Sequence, residues 1–360
     1  MNDLTFPKGF DAERAEAFAG QLVGTITNAA TSIMISLGHR VGLFDAMAAL
    51  PPSRSEALAS SAGLAERYVR EWLAVMVTSR IVEYQAEAQT YSLPAEHAAF
   101  LTRAAAPNNI AVTSQFVGVA ASVEEQMIER FQSGDGLHYD HFLRFHEVMA
   151  EDSDQTTVMS LIDHILPIVP GLVERLKDGI DVVDVACGGG RVLLKMAEAF
   201  PNSSFTGLDL CEDAFAEARV RALKDGLDNL VFKPLDLSTV TALGAFDLVT
   251  GFDAVHDQKD PLGLVKTVYN SLNDGGVFLM QDIGGSRDLA TNMDNPFAPL
   301  LFTISLMHCT PMSIGQGGPG LGTMWGVETA QEFLAEAGFA DVQAHRLPHD
   351  PVNAYFVARR

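Results

Sequence analysis

The stretch Asp181-Val182-Val183-Asp184-Val185-Ala186-Cys187-Gly188-Gly189-Gly190-Arg191 constrains this chain more than any other. An apolar run that ends in an acid is followed by a glycine cluster, then by the amphipathic Val192-Leu193-Leu194-Lys195-Met196-Ala197. That order predicts a buried parallel strand, a tight turn and a helix. Glycines in such a turn let the backbone approach a ligand, because no Cβ intervenes. The ligand also meets the free N–H groups of the helix start. An α/β fold holds nucleotide-like molecules this way, at the carboxyl ends of its strands.

Four more runs extend the pattern. Ser204 to Leu210 carries Asp209 near its end and begins about 20 residues past the first strand, the length of a helix with its turns. Val231 to Leu237 carries Asp236, Phe246 to Asp253 ends in an acid, and Gly275 to Asp282 is entered by a glycine turn. Ala340 to His345 and Ala354 to Ala358 complete the set. Strands alternating with helices predict a doubly wound sheet. A carboxylate at Asp209 can accept hydrogen bonds from both hydroxyls of a ribose, and Asp236 is placed to meet an adenine amino group. A single acid at a strand end is as readily a solvated one, but acids ending successive strands point to a ligand. A dinucleotide fingerprint does not fit: with Gly188 and Gly190 as its first two glycines, the third falls on Leu193.

The order Asp-x-x-Cys-Gly-x-Gly instead resembles the first motif of the class I S-adenosylmethionine (SAM) methyltransferases, which often have Gly at the position of Ala186. The resemblance implies that Asp184, Gly188 and Gly190 line the methionine and ribose portion of SAM. It also implies that Asp209 holds the ribose with Leu210 beside the adenine. Asp236 and Leu237 would meet the adenine edge, and Phe252 would close over the sulfonium.

The N-terminal part reads differently. Ile26, Ile33, Ile35, Leu37, Val41, Leu43 and Phe44 carry a helical apolar pattern over residues 24 to 50, stopped by Pro51-Pro52. Ser53 to Ser61 predicts a short helix, Leu64 to Val77 a longer amphipathic one. Ile81 to Tyr84 and Thr90 to Leu93 predict two strands. Helices followed by a hairpin make a winged-helix order, which raises DNA binding. Charge argues against it: residues 1–100 hold seven Lys and Arg against eleven Asp and Glu, a net of −4. A DNA reader carries a basic stripe on its third helix, whereas Arg67 and Arg70 stand beside Glu66 and Glu71, which predicts intrahelical ion pairs. A dimerisation or substrate-closing role is expected instead. The whole chain carries a net charge of −22, which disfavours nucleic acid and anionic membrane surfaces as partners.

No run of about 18 apolar residues suggests a membrane span. The start, Met1 to Lys8, lacks a signal-peptide pattern. Cys187, Cys211 and Cys309 form no Cys-x-x-Cys pair, which fits a reducing cytoplasm and argues against a zinc site. The expected division is a winged-helix-like domain over 1–100, a helical linker and substrate-pocket segment over 101–175, and a Rossmann-like catalytic domain over 176–360.

Several longer stretches carry a more specific resemblance. They are Gly42 to Ala46, Arg67 to Leu73, Arg144 to Ser153, Gln316 to Gly326 and His349-Asp350-Pro351. Together they are similar to a bacterial group of small-molecule SAM methyltransferases that join a winged-helix-like domain to a Rossmann-like one. The resemblance covers nearly the whole chain and implies homodimers, with the methyl acceptor left open.

Two segments bear on the acceptor. Ala254-Val255-His256-Asp257 resembles the His-Asp segment of O-methyltransferases, in which the histidine is the general base; Gln258 stands where plant-type enzymes often have Trp. Histidine suits the role because its ordinary pKa lies near neutrality, but it can also merely orient the acceptor. Gly136 to His146 lies between the expected domains. If helical, it places His141 and Arg144 on one face with Tyr139 near the helix start. An arginine, a histidine and a phenol there would suit a small carboxylate, although an Arg144 salt bridge is an equal reading. The pattern Tyr-x-His-x-x-Arg is similar to the bacterial S-methyltransferases of dimethylsulfoniopropionate synthesis, which methylate the thioether of methylthiohydroxybutyrate. A thioether has no proton to lose, so His256 would then only position it. Residues 285–320 are expected to form a long lid loop, with Phe302, Met307, His308, Met312 and Met324 as caps. The preferred reading is thus sulfur methylation of a small carboxylate. O-methylation with His256 as base and a SAM-sensing transcription regulator are the alternatives.

Overall fold

The computed structural model describes residues 9–360, and the reading of no signal peptide over Met1 to Lys8 falls outside the described residues. The chain divides into two units between Gly118 and Val119.

The first unit begins with α1 (Ala12–Arg40), whose start is capped by the Asp11 carboxylate accepting from the Arg14 N–H. The helix expected over residues 24 to 50 is two helices. Gly42 adopts a left-handed conformation (φ 76°) that ends α1 and starts α2 (Leu43–Ala48). α3 (Ser55–Ala62) and α4 (Glu66–Thr78) follow, then the antiparallel pair β1 (Glu83–Gln85) and β2 (Thr90–Ser92). Phe44, Leu58, Trp72, Leu73 and Met76 form the core. Gly38 lies so close to Trp72 that a Cβ there would sit 2.4 Å from the indole, whose N–H donates to the Met34 carbonyl. Arg67 pairs with Glu71 and Arg70 with Glu66 along α4, as the charge order predicts.

The second unit is built on a seven-stranded sheet ordered β5-β4-β3-β6-β7-β9-β8. β3 (Asp181–Val185), β4 (Ser204–Asp209), β5 (Leu230–Pro234), β6 (Phe246–Phe252) and β7 (Leu272–Ile283) run parallel. β8 (Asp341–Leu347) and β9 (Asp350–Arg359) add an antiparallel hairpin at the β7 edge, so the expected doubly wound sheet is mixed. Successive residues of β3 point to opposite faces, and both faces are covered. Val182 packs with Leu193, Phe205 and Leu279, and Val183 with Val265, Phe278 and Leu334. This double burial explains the unbroken apolar runs. β3 is flanked by β4 and β6, so the chain order reverses there and opens a crevice at the strands' carboxyl ends.

Two local expectations change. Residues 285–320 are mostly helical, with Ala298–Ile304 and Thr310–Gly315 joined through a wider turn at Ser305–Cys309. A proline in the first turn of each helix fits its fixed φ and missing N–H. Met312 and Met324 are core residues there, not caps. His141 and Arg144 do not share a helix. Tyr139–His141 is a single tight turn, Phe142 is extended, and Arg144 turns left-handed (φ 66°) to start the helix Phe145–Ser153. Among the described residues, no helix is long and apolar enough to cross a membrane.

Candidate active site

The crevice gathers what the glycine turn promised. Gly188 is left-handed (φ +50°) with open space where its Cβ would be, so a ligand can lie against the backbone there. Gly190 is left-handed too, for a different reason: a Cβ would sit 2.5 Å from the Phe232 ring. The helix Arg191–Ala199 that follows has no side-chain cap, which leaves its first N–H groups available to a ligand. Ala186 is also left-handed (φ 52°), a conformation that costs an L residue about 1–2 kcal/mol. That strain explains why related motifs favour Gly at this place.

The acids stand around this turn. Asp209 accepts the Gly188 N–H on Oδ2 (2.8 Å) and the Cys211 N–H on Oδ1 (2.8 Å), so it is aimed at the turn with lone pairs to spare. Burial raises its pKa above the ordinary carboxylate value. Leu210 beside it is exposed and Phe252 is half-buried at the end of β6. Asp236 accepts the Ser238 N–H and hydroxyl on Oδ1, which lowers its pKa, and Leu237 next to it is buried. Asp184 is buried inside β3, takes the Thr250 hydroxyl at 2.6 Å, and is pushed by burial up to about 7.

At the end of β6 the chain turns through Asp253 (φ 53°) to His256. The His256 ring is 1% exposed and the Asp282 side chain, on β7, is fully buried. His256 Nδ1 is 2.8 Å from Asp282 Oδ1, while Nε2 has no hydrogen-bond partner. Burial by itself would lower the imidazole pKa. The Asp282 carboxylate with its hydrogen bond, helped by the buried Cys309 sulfur beside the ring, outweighs burial and holds it well above the ordinary value. Asp282 Oδ1 also accepts the Trp325 indole N–H (3.0 Å) and the Ile283 N–H (2.8 Å). Asp253, His256 and Asp282 present ligand-type atoms within 4.8 Å of one another. Of these three, only His256 and Asp282 are hydrogen-bonded to each other.

An aromatic cluster stands nearby. His308 stacks on Phe145 (3.5 Å between centroids, 17°) and meets Phe142 edge-on at 4.6 Å. Tyr139 lies 5.1 Å from His146 and 6.1 Å from His308. The Asp257 charge and burial raise the Tyr139 hydroxyl well above its ordinary pKa. Burial and the charge of His256 keep His308 neutral, well below the usual imidazole value. Arg144 sends two donors to Glu147, from Nε at 2.9 Å and Nη2 at 2.7 Å, and His141 Nδ1 lies 3.1 Å from both the Asp140 carboxylate and the His138 carbonyl. Of the four expected acceptor residues only His256 is buried; Tyr139 is half-buried among aromatic rings, and Arg144 and His141, equally half-buried, have acid partners of their own. Sequence reasoning missed Thr250, Trp325 and the stacking role of His308. Only Trp325 carried a signal, as part of the Gln316 to Gly326 motif.

The geometry is that of a class I methyltransferase fold joined to a winged helix, and comparison with known proteins agrees. Residues 29–103 match the family model described as an Rv2258c-like winged HTH domain, and residues 176–317 match one described as a methyltransferase domain. Over 115 residues, 31% of this chain and 46% of its own length, the ubiquinone biosynthesis O-methyltransferase of Idiomarina loihiensis is 33% identical. That of Cronobacter sakazakii is 32% identical over 27% of this chain and 40% of its own length. The chain thus spans less than half the length of these curated relatives. Among solved structures, a Nostoc punctiforme protein provisionally described as an O-methyltransferase superposes with a TM-score of 0.71 at 17% identity, covering 95% of this chain and 98% of its own. Human N-acetylserotonin methyltransferase in complex with SAM gives 0.67 at 14% identity, covering 99% of each. The chain carries a methyltransferase domain following a winged helix-turn-helix domain.

Proposed function

We propose that this protein is a SAM-dependent methyltransferase of a small molecule, and that its acceptor is an acidic hydroxyl deprotonated by His256. One observation carries the choice of acceptor: a fully buried His256 anchored through Nδ1 to Asp282, with Nε2 left without a hydrogen-bond partner. A nucleophile that arrives with its proton needs such a base; a thioether does not.

SAM supplies an electrophilic methyl on a sulfonium. Around it, Gly188 and the start of the helix Arg191–Ala199 offer backbone contact, and Asp209 offers oxygens to a ribose. Asp184 and Gly190 support that turn from beneath. Leu210, Asp236 and Leu237 stand where an adenine edge would lie, and Phe252 stands at the methyl end. His256 Nε2 takes the acceptor's proton, and Asp282 stabilises the imidazolium that forms. The Asp282 carboxylate raises the imidazole's affinity for a proton, so a phenol or enol, whose own proton is acidic, yields it to Nε2. An aliphatic alcohol would not yield its proton so readily. Burial of the reacting atoms strengthens these charges, and the remaining contribution is alignment.

Sulfur methylation of methylthiohydroxybutyrate is the second reading, favoured by Tyr139, which is half-buried in the aromatic cluster and feels the Asp257 charge. It would need Arg144 to exchange Glu147 for the acceptor carboxylate. The same reading of the chain includes a homodimer in the cytoplasm. A SAM-sensing regulator would instead bind DNA at moderate salt.

Methyl-labelled SAM, incubated with methylthiohydroxybutyrate and separately with a panel of phenols, distinguishes these readings. Label in a phenol ether that vanishes in His256→Ala supports the hydroxyl reading. Label in a sulfonium product that survives His256→Ala and collapses in Arg144→Ala would replace it.

A further inference from the structure

We infer that Trp325 is a positioning residue for the base, acting through Asp282 on His256; this rests on the reading of His256 as the base. Asp282 lies wholly inside the protein, and its carboxylate must choose an orientation there without help from water. Three donors converge on one oxygen, Oδ1: the imidazole Nδ1 at 2.8 Å, the neighbouring Ile283 N–H at 2.8 Å and the Trp325 indole N–H at 3.0 Å. Oδ2 has no partner. The indole comes from the part of the chain most distant from Asp282, the turn before the helix Val327–Ala337.

The indole bond settles a competition. Asp253 Oδ1 lies 3.9 Å from the same imidazole nitrogen, is buried and has no hydrogen-bond partner. His256 therefore has two carboxylates within reach behind it, and a ring turned towards Asp253 would aim Nε2 elsewhere. The Ile283 N–H is adjacent in sequence to Asp282 and permits carboxylate rotation about it. A second, directional donor from Trp325 fixes the rotation, because two bonds to one oxygen from different directions define the plane of the group. The ring is held in turn: Trp325 is 4% exposed, packs against Phe333 at 5.8 Å and belongs to the core beneath the sheet. The Gln316 to Gly326 motif thus contributes to the site a hydrogen-bond donor delivered to the base from behind, with no need to touch the acceptor.

Trp325→Phe keeps an aromatic ring and removes only the N–H and part of the ring system. The measurement is the His256 Nδ1–H resonance in a protein labelled at histidine nitrogens, together with SAM-dependent turnover of a phenol. In the variant the Nδ1–H signal should move upfield and exchange faster with water. kcat should fall about tenfold, the size of one hydrogen bond to a buried charge, with the KM for SAM unchanged. In an Asp282→Ala background, which removes the oxygen that accepts the indole N–H, the same substitution should change neither. An unmoved Nδ1–H signal in a folded Trp325→Phe protein would overturn the proposal, as would an equal effect in the Asp282→Ala background. Should Trp325→Phe fail to fold, the wild type decides: the Trp325 indole N–H should follow the titration of His256 with the same midpoint, and a flat response overturns the coupling. If His256→Ala retains turnover while Trp325 still governs the Nδ1–H signal, the positioning stands and the base role falls.

Discussion

His256 Nδ1 and Asp282 Oδ1 stand 2.8 Å apart with both side chains withdrawn from water. Asp282 lies on β7 and His256 follows the neighbouring β6, and they meet because a left-handed turn at Asp253 folds the chain back over the strand ends. A carboxylate buried at this distance has two effects: it fixes which nitrogen faces the acceptor, and it stabilises the imidazolium.

The first prediction concerns pH. The imidazole is held well above its ordinary value in the folded protein. The stability it contributes is therefore fully present below the unfolded pKa of about 6.5 and is lost as pH rises through the folded value. Melting temperature followed from neutral to alkaline pH should fall in the wild type, and His256→Gln should remove that fall. Turnover of a hydroxyl acceptor should drop about a hundredfold or more in His256→Ala, the range for loss of a general base.

Asp184 gives the same sign of pH dependence from a different cause. Burial raises it to about 7 from 3.8, so the folded state resists its ionisation and stability declines across that interval. Asp184→Asn keeps an oxygen for the Thr250 hydroxyl and removes the charge. The apo variant should be more stable than the wild type above neutrality, by at most about 4 kcal/mol, and indistinguishable near pH 4. Urea unfolding at two pH values measures the difference. Equal gains at both would show that charge burial is not the cause.

The glycine turn separates folding from binding. Gly190→Ala presses a Cβ against Phe232 and should cost about 2–4 kcal/mol of stability. Gly188→Ala meets no atom of the protein and should cost only about 1–2 kcal/mol of left-handed strain, so loss of SAM affinity, read by calorimetry, should be its distinguishing effect. Ala186→Gly should gain about 1 kcal/mol by relieving the left-handed strain.

The N-terminal unit carries its own test. Phe18, Leu22, Ile26, Ile33 and Leu37 lie along one stripe of α1, and all are more than 40% exposed. The spacing places them on a common helical face, and such a face invites a second copy of the chain. If this stripe forms the dimer, Leu22→Glu with Ile26→Glu should halve the mass measured by light scattering without unfolding the protein. An unchanged mass would move the interface elsewhere.

How far the sequence alone reaches can be seen residue by residue. β3, β6 and β7 were legible because strands buried on both faces need apolar runs, the edge strand β5 because its apolar residues alternate with exposed ones, and the turn at Gly188 to Gly190 because few residues tolerate its backbone. The ion pairs of α4 followed from spacing. The segment Tyr139 to Arg144 was misread as helical because nothing local signals the left-handed turn at Arg144. The stretch from 285 to 320 was misread as a loop because its helices are short and their apolar faces are defined only by packing. Local chemistry thus determined the fold class, the glycine turn and the acids at the strand ends. The tertiary structure decided which acid holds His256 and which nitrogen it leaves free. It also decided that Trp325 reaches the same oxygen from 43 positions away. Those choices rest on distances between strands and turns remote in sequence, and burial, which sets their electrostatic strength, exists only once the chain has folded.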